Sequence, residues 1–255
     1  MADSKLKIDI RRGKILEALR KNGRVQVSQL SFELGATPVT IRNDLAALEH
    51  DGYLTRIQGG AIQASRSPVD AGPQIDRLAE KQVIAARISG LIQDGDTVFI
   101  NSGTTTQVVA EALKARKNLY IVTNSLPIAL ELGAVPTFRI LLMGGEINAR
   151  YAFTYGADAQ EQLRRYQAAW AILSVDGVSL ASGITTYHAE EAIIDRMMIA
   201  QAKQVLIAAD STKLGRAGFT QITALEPHVQ LITDSGCDPE IRVGLERAGL
   251  SVTCC

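Results

Sequence analysis

Thr40-Ile41-Arg42-Asn43-Asp44-Leu45, then Leu48-Glu49-His50-Asp51-Gly52-Tyr53-Leu54, then Arg56-Ile57-Gln58-Gly59-Gly60-Ala61 is the run on which the fold turns. At roughly 100° per residue, Ile41, Leu45 and Leu48 fall in one narrow stripe, while Val39, Arg42, Asn43 and Ala46 fall on the opposite arc. The stripe is made to pack, and the other arc is left for a groove. Pro38 suits a first helical turn, where its missing N–H has no partner in any case, and Thr37 is placed to cap the free amides. Upstream, Ile15 and Leu19 repeat at helical spacing within 11–21, and 27–34 holds a second short apolar helix stopped by Gly35. The spacing predicts three short helices and a hairpin over residues 1–62, a winged helix-turn-helix.

That arrangement points to duplex DNA. Arg42 and Asn43 are the base-reading candidates, since Arg forks onto the two acceptors of guanine and Asn pairs with the acceptor and donor of adenine. Thr40 and Arg56 are expected to hold phosphates, which fix register without reading sequence. Thr37 and Val39 lie at the same helix start, and Gly59-Gly60 lets a wing tip turn tightly and lie close to the DNA backbone. The bland alternative makes Arg42 and Arg56 solvated charges on a small helical domain. The ordered set of two helices, a capped polar-faced helix and a Gly-Gly wing argues against it.

Composition sets bounds without deciding. The 255 residues carry 27 basic and 27 acidic side chains, so no global basic surplus marks a nucleic-acid binder. Residues 1–60 hold ten Lys or Arg against seven Asp or Glu. That small surplus suits a specific binder with a modest number of phosphate contacts. With 46% apolar residues, one small and one medium domain can each bury a core. No apolar stretch approaches the roughly twenty residues of a membrane span, and Asp3, Lys5, Lys7 and Asp9 break any signal-peptide core, so a cytoplasmic protein is expected. Cys237, Cys254 and Cys255 cannot all pair, and none lies in a metal-ligand pattern with the histidines. The adjacent terminal pair reads as a frayed tail, with oxidant sensing as the alternative.

Residues 63–73 shift to Ala, Ser, Pro, Gly and Asp with no apolar periodicity, which sets a linker at 63–79 and a second domain at 80–255. There, Ile84, Ile88 and Ile92 step at helical spacing. Short apolar strands follow at 97–100, 119–122, 139–143, 168–174, 204–208 and 229–233, and helical stretches at 105–114, 125–132, 189–198 and 239–248 separate several of them. Such alternation predicts an α/β domain with a mostly parallel sheet covered on both faces.

In such sheets the ligand crevice lies beyond the carboxyl ends of the strands. The strand ends carry Asn101-Ser102-Gly103-Thr104-Thr105-Thr106, Thr123-Asn124-Ser125, Gly144-Gly145, Asp176-Gly177 and Asp210-Ser211-Thr212-Lys213. Small residues and hydroxyls around Gly103 at a helix start suit a phosphate. Lys213 offers a cation, and Asp176 and Glu191 offer acceptors for sugar hydroxyls, a mixture that matches a phosphorylated polyol. Singly, each cluster is an ordinary cap or turn.

The ordered segments named above, with Glu80-Lys81, Asp94-Gly95-Asp96, Gly183-Ile184-Thr185-Thr186 and Glu191-Ala192, resemble the DeoR family of bacterial sugar-operon regulators over nearly the whole length. The resemblance implies a winged helix-turn-helix joined to a sensor domain related in fold to ribose-5-phosphate isomerase and glucosamine-6-phosphate deaminase. It also implies repression of a transport or catabolic operon, modulated by a phosphorylated sugar or sugar derivative and with no further cofactor. By position it gives an effector site of Ser102, Gly103, Thr104, Thr105, Thr106, Asn124, Ser125, Gly144, Gly145, Asp176, Gly177, Glu191 and Lys213. The implied partners are double-stranded operator DNA and further copies of the chain in a dimer or tetramer. Asn43 stands where many members carry a second arginine, and Thr37-Pro38 replaces a commoner Val-Ser. Tyr155, Tyr187 and His188 choose no particular sugar.

The competing class is an enzyme that isomerises or deaminates a sugar phosphate, with Asp176 and Lys213 or His188 moving the proton. A protein-interaction adaptor without a ligand is the third reading.

Overall fold

The computed structural model describes residues 2–50, 53–62 and 77–255. The chain divides into two compact units, Met1–Gln74 and Ile75–Cys255. Most of the expected linker, residues 63–76, lies outside the described residues.

The first unit runs α1 (Ala2–Asn22), β1 (Arg24–Gln26), α2 (Val27–Glu33), α3 (Pro38–His50), β2 (Thr55–Ile57) and β3 (Gly60–Ile62). Its core joins Ile15 and Leu19 of α1, Leu30 of α2, and Ile41, Leu45 and Leu48 of α3, all at most 2% exposed. Each such side chain contributes about 1.5–3 kcal/mol when removed from water. The hairpin of β2 and β3 is joined by an unforeseen strand, β1, which pairs antiparallel with β3 so that the order is β1-β3-β2. Gly60 sits at this crossing. A Cβ there would lie 2.0 Å from the Val25 carbonyl oxygen, so any other residue would push the strands apart.

The second unit opens with α4 (Leu78–Leu91), two residues before the expected start. It continues as β4 (Thr97–Ile100), α5 (Thr104–Leu113), β5 (Tyr120–Thr123), α6 (Leu126–Gly133), β6 (Arg139–Leu142), β7 (Glu146–Asn148), β8 (Phe153–Tyr155), α7 (Ala157–Leu163) and β9 (Ala168–Ser174). Then come β10 (Gly177–Ser179), β11 (Gly183–Thr186), α8 (Ala189–Ala200), β12 (Ala202–Ala208), β13 (Thr220–Thr223), β14 (Val229–Thr233), α9 (Pro239–Arg247) and β15 (Ser251–Cys254).

Seven strands form one parallel sheet in the order β15-β14-β12-β9-β4-β5-β6. Strand alternation feeds two cores. Phe99, Ala171, Leu173, Val205, Ile207 and Leu231 pack with α7, α8 and α9 residues, including Leu163, Met198 and Leu245. Their neighbours Val98, Ile100, Ile172, Leu206 and Ala208 pack with Ile84, Ile88, Val109 and Leu132 of α4, α5 and α6. The parallel sheet is thus covered on both faces, as its continuous apolar strands require.

The chain moves outward through β4, β5 and β6, then returns to lay β9 against the other side of β4. The order therefore reverses between β4 and β9, which is where such sheets open a ligand crevice. Two antiparallel inserts follow strand carboxyl ends: the β7–β8 hairpin after β6, and the β10-β11-β13 sheet after β9 and β12. At the opposite, amino-terminal end of the strands, the Trp170 indole Nε1 donates to Asp96 Oδ2 at 2.9 Å.

The expected frayed tail is corrected. Ser251–Cys254 is the seventh sheet strand, in register with β14, and the Cys255 amide donates to the Thr233 carbonyl at 2.9 Å. Alternate burial of Leu250 and Val252 holds it there. Cys237, Cys254 and Cys255 are half-buried free thiols. Among the described residues, no helix is long and apolar enough to cross a membrane, and no group of three or more His, Cys, Asp or Glu is placed to hold a metal.

Candidate DNA-reading helix and effector crevice

On α3 the two arcs separate as the sequence predicts. Ile41, Leu45 and Leu48 are buried, whereas Val39 is 63% exposed and Arg42 and Asn43 are exposed. Thr37 caps the helix, its Oγ1 accepting from the Thr40 amide at 3.2 Å and lying 2.8 Å from the Thr40 hydroxyl. A residue given no role by sequence fixes the angle of this helix against α1. Asp44 is 3% exposed and accepts from Arg11 Nε at 2.5 Å and Arg12 Nε at 3.2 Å, so two basic residues are spent on holding α3 rather than on reaching outward.

Arg56 is tied at the root of the wing. Its Nε donates to Glu49 Oε2 and its amide to Glu49 Oε1, each at 2.7 Å. These donors hold the Glu49 carboxyl below its usual range. The rest of the guanidinium stays at the surface, the side chain being 48% exposed. Of the two wing glycines, Gly59 is exposed at the turn with φ 80°, while Gly60 is buried under Val25. Gly60 is therefore a packing residue, and of the two expected contacts only Gly59 is exposed at the tip.

The second site is built from buried polar groups at the β4–β9 junction. Asn101, fully buried after β4, donates from Nδ2 to the Ser174 carbonyl and to Asp195 Oδ1, both at 3.0 Å, and accepts from the Ser174 amide at 2.9 Å. This clamp joins the ends of β4 and β9 and leaves the loop that follows pointing outward into α5. Gly103 is the pivot: its φ is 154°, and a Cβ would meet Ser174 Oγ at 1.8 Å. Thr106 closes the loop by donating to the carbonyls of Asn101 at 3.0 Å and Gly103 at 3.1 Å. The N-cap of α5 is Gly103, which has no side chain to satisfy the first amides, so the start of this helix at the strand ends presents its positive end.

Carboxyls flank the loop. Ser102 Oγ donates to Glu191 Oε1 at 2.6 Å, and Thr186 Oγ1 lies 3.2 Å from Glu191 Oε2 and 3.0 Å from Asp176 Oδ2. Asp176 also accepts from the Tyr187 amide at 2.9 Å. Burial pushes the Glu191 carboxyl up to about 8; the Ser102 and Thr186 hydroxyls pull it down and the charges of Asp176 and Glu190 push it further up. Asp195, one helical turn on, is raised well above its ordinary value, first by burial and then by Glu191. Burial thus disfavours negative charge on both groups, which lessens the repulsion that two buried carboxylates would exert on an anion.

Asn124, fully buried at the end of β5, spends its Nδ2 on the Thr154 carbonyl at 3.4 Å, and its Oδ1 has no hydrogen-bond partner among the described residues. It is an acceptor without a donor. An aromatic group gathers beside the β7–β8 hairpin: the Tyr151 and His188 ring centroids are 4.4 Å apart and the Phe153 centroid lies 6.1 Å from that of His188.

The expected residues thus divide. Ser102, Gly103, Thr104, Thr105, Thr106, Asp176 and Glu191 are brought together, with Asn124 one strand over. Ser125 is occupied in capping α6, accepting from the Ile128 amide at 3.4 Å. Gly144 is exposed and bonds Gln162 at 3.0 Å, Gly145 packs against the Tyr155 carbonyl, and Gly177 packs against the Arg216 carbonyl, so all three shape the loops instead of lining the cluster. Lys213 is half-buried on a 3-10 turn, Ser211–Lys213, whose start is capped by Asp210. Sequence reading placed Asn101 in a strand-end cluster and Thr186 in a family segment without giving either a role, and it missed Ser174 and Asp195 as parts of the site. It also missed Lys81, a buried lysine on α4 whose Nζ donates to Thr104 Oγ1 at 3.0 Å.

Comparison with known proteins sets this geometry in a family. Residues 11–67 match the family described as DeoR-like helix-turn-helix domain, and residues 76–235 match the DeoR C terminal sensor domain. The chain is 35% identical to the lactose phosphotransferase system repressor of Lactococcus lactis over 89% of this chain and 91% of that protein. It is 31% identical to the glycerol-3-phosphate regulon repressor of Escherichia coli K12 over 87% of this chain and 88% of that one. Among solved structures, a ribose 5-phosphate isomerase from Plasmodium falciparum aligns at 12% identity over 53% of this chain and 52% of the other, with a TM-score of 0.40.

Proposed function

The chain belongs to the DeoR family of sugar-operon transcriptional regulators, and on that premise we propose that its sensor unit binds a phosphorylated sugar or polyol that modulates the grip of its N-terminal unit on operator DNA. It is a DNA-binding regulator and not an enzyme. The observation that carries the effector reading is the glycine-led start of α5 at the β4–β9 switch point, with, one strand over, an Asn124 acceptor that has no donor among the described residues. The first suits a phosphate and the second a hydroxyl; one molecule that supplies both is a sugar or polyol phosphate. One relative is named for a lactose phosphotransferase system and another for a glycerol-3-phosphate regulon, which supports the class.

Arg42 and Asn43 read bases in the major groove, with Thr37, Val39, Thr40, Arg56 and Gly59 around them. A homo-oligomer, dimer or tetramer, sets two such helices at half-sites about one helical turn or multiples apart, and effector binding changes that spacing. The coupling equals the effector's difference in affinity for the two arrangements, commonly about 1–3 kcal/mol. The site of action is the cytoplasm, where operators and phosphorylated sugars meet.

The test screens pentose, hexose and polyol phosphates by thermal shift while following operator retention and product formation. Stabilisation by one ester, with changed retention and no turnover, supports the reading. Turnover, or indifference to every ester, overturns it.

A further inference from the structure

Two cations at the start of α4, Lys81 in its first turn and Arg77 at its N-cap, have no place in the effector site assembled from the strand ends. Lys81 is 5% exposed, and its ammonium donates at 3.0 Å to Thr104 Oγ1, the side chain that opens α5. An ammonium buried there loses hydration and also faces the positive end of a helix. Both costs reverse when an anion settles on the same amides. Glu191, on the far side of the loop and held by Ser102, has its carboxyl raised by burial, which lessens the negative charge beside such an anion.

Arg77 lies one turn earlier, in a left-handed conformation with φ 55° and ψ 47° that residues with a Cβ seldom adopt. Its guanidinium is 2.8 Å from Glu80 and reaches Asp210 at 3.8 Å and Asp234 at 3.9 Å, two buried carboxylates after β12 and β14. Asp234 holds the Ser211 amide at 2.6 Å and hydroxyl at 2.9 Å, while Asp210 caps the same turn through the Thr212 amide at 3.1 Å. That turn carries Lys213. One helical turn therefore grips both the loop that opens α5 and the turn that presents Lys213, and it is where the chain enters the sensor unit.

Building on the effector reading above, we propose that Lys81 neutralises the bound phosphate and that the first turn of α4, pinned by Arg77, passes occupancy of the crevice to the chain segment that precedes it.

The test titrates the full chain by calorimetry with inorganic phosphate and with pentose, hexose and polyol phosphates at matched ionic strength. Retention of a duplex, selected by the wild-type chain from a random pool, is measured with and without the ester that binds best. Lys81→Met is expected to weaken that ester about tenfold or more, as loss of a charge-assisted contact does, with an unliganded Tm equal to or above wild type because a buried charge is gone. Lys81→Arg is expected to recover part of the affinity; Lys81→Gln serves if the methionine variant does not fold. Arg77→Gln is expected to keep ester affinity within about twofold while the ester-induced change in duplex retention drops about threefold or more, the scale of allosteric couplings.

Unchanged ester affinity in Lys81→Met, or a lowered Tm as its sole defect, overturns the role of Lys81 and leaves the effector reading standing. A full response in Arg77→Gln overturns the role of the turn. A wild-type chain that binds no ester sinks the effector reading and this proposal together.

Discussion

The two recognition surfaces are made in opposite ways. On α3 the candidate reading residues Arg42 and Asn43 are exposed, and what fixes their helix lies behind: the Ile41, Leu45, Leu48 stripe and the Asp44 tie to Arg11 and Arg12. In the crevice the candidate polar groups are themselves buried and hold one another, as Ser102 with Glu191 and Asn101 with Asp195. A surface that must enter a groove shares its target with water and needs exposure and orientation. A pocket that must take a small polar molecule out of water needs polar atoms already paid for by mutual hydrogen bonds, with a few left unanswered.

The strongest way to break this contrast is through the cores. Leu45→Ala removes a fully buried side chain from the small unit and is expected to cost about 2–5 kcal/mol there, abolishing duplex retention while calorimetric ester binding stays at its wild-type value. Loss of ester binding as well would show that the two sites do not stand on separate supports.

Next in size is a pH effect confined to the crevice. Glu191 is raised from 4.5 to about 8 by burial, so the folded chain holds a proton that the unfolded chain releases. The stability this group contributes is complete below about pH 4.5 and is lost as pH rises to about 8. Glu191→Gln should flatten that decline, gaining on the order of a few kcal/mol relative to wild type between pH 5 and pH 8. Thermal unfolding at the two pH values checks it, and parallel curves for both proteins would deny the raised carboxyl.

Smaller effects sharpen the picture on α3. Arg42→Ala should cost about 1–3 kcal/mol of operator affinity, with discrimination relaxed at one base pair and ester binding unaltered. Arg56→Gln should cost less than about 1 kcal/mol, since an exposed pair with Glu49 is worth little. If the remaining guanidinium nitrogens reach a phosphate, the slope of log affinity against log salt also falls by about 1.

The first surface was legible in the sequence because its signals are local. A stripe at helical spacing, a capping threonine and a pair of glycines lie within 25 residues, and each says something about its neighbours alone. Even there β1 escaped, three residues whose pairing partner Ile62 lies far along the chain. The crevice was legible only in outline. Strand ends with glycines and hydroxyls predict that a site exists, but periodicity does not say that the chain returns to lay β9 beside β4. Hence the Asn101–Ser174 clamp and the Ser102–Glu191 bond, whose partners lie 73 and 89 residues apart, could not be read. Lys81 was visible as part of a motif, yet nothing in a helical pattern tells a buried lysine from a solvated one. The terminal strand was misread for a related reason: four residues beyond a helix look like a tail until the partner strand β14 is known.

Trp170 is the sole tryptophan of the chain, and it lies on β9 with its indole bonded to Asp96. Ultraviolet emission from this indole is thus a private voice of the larger unit. Helical circular dichroism hears both. Melting recorded by the two methods on one sample would resolve which half of the molecule yields first, with no label attached and no bond cut.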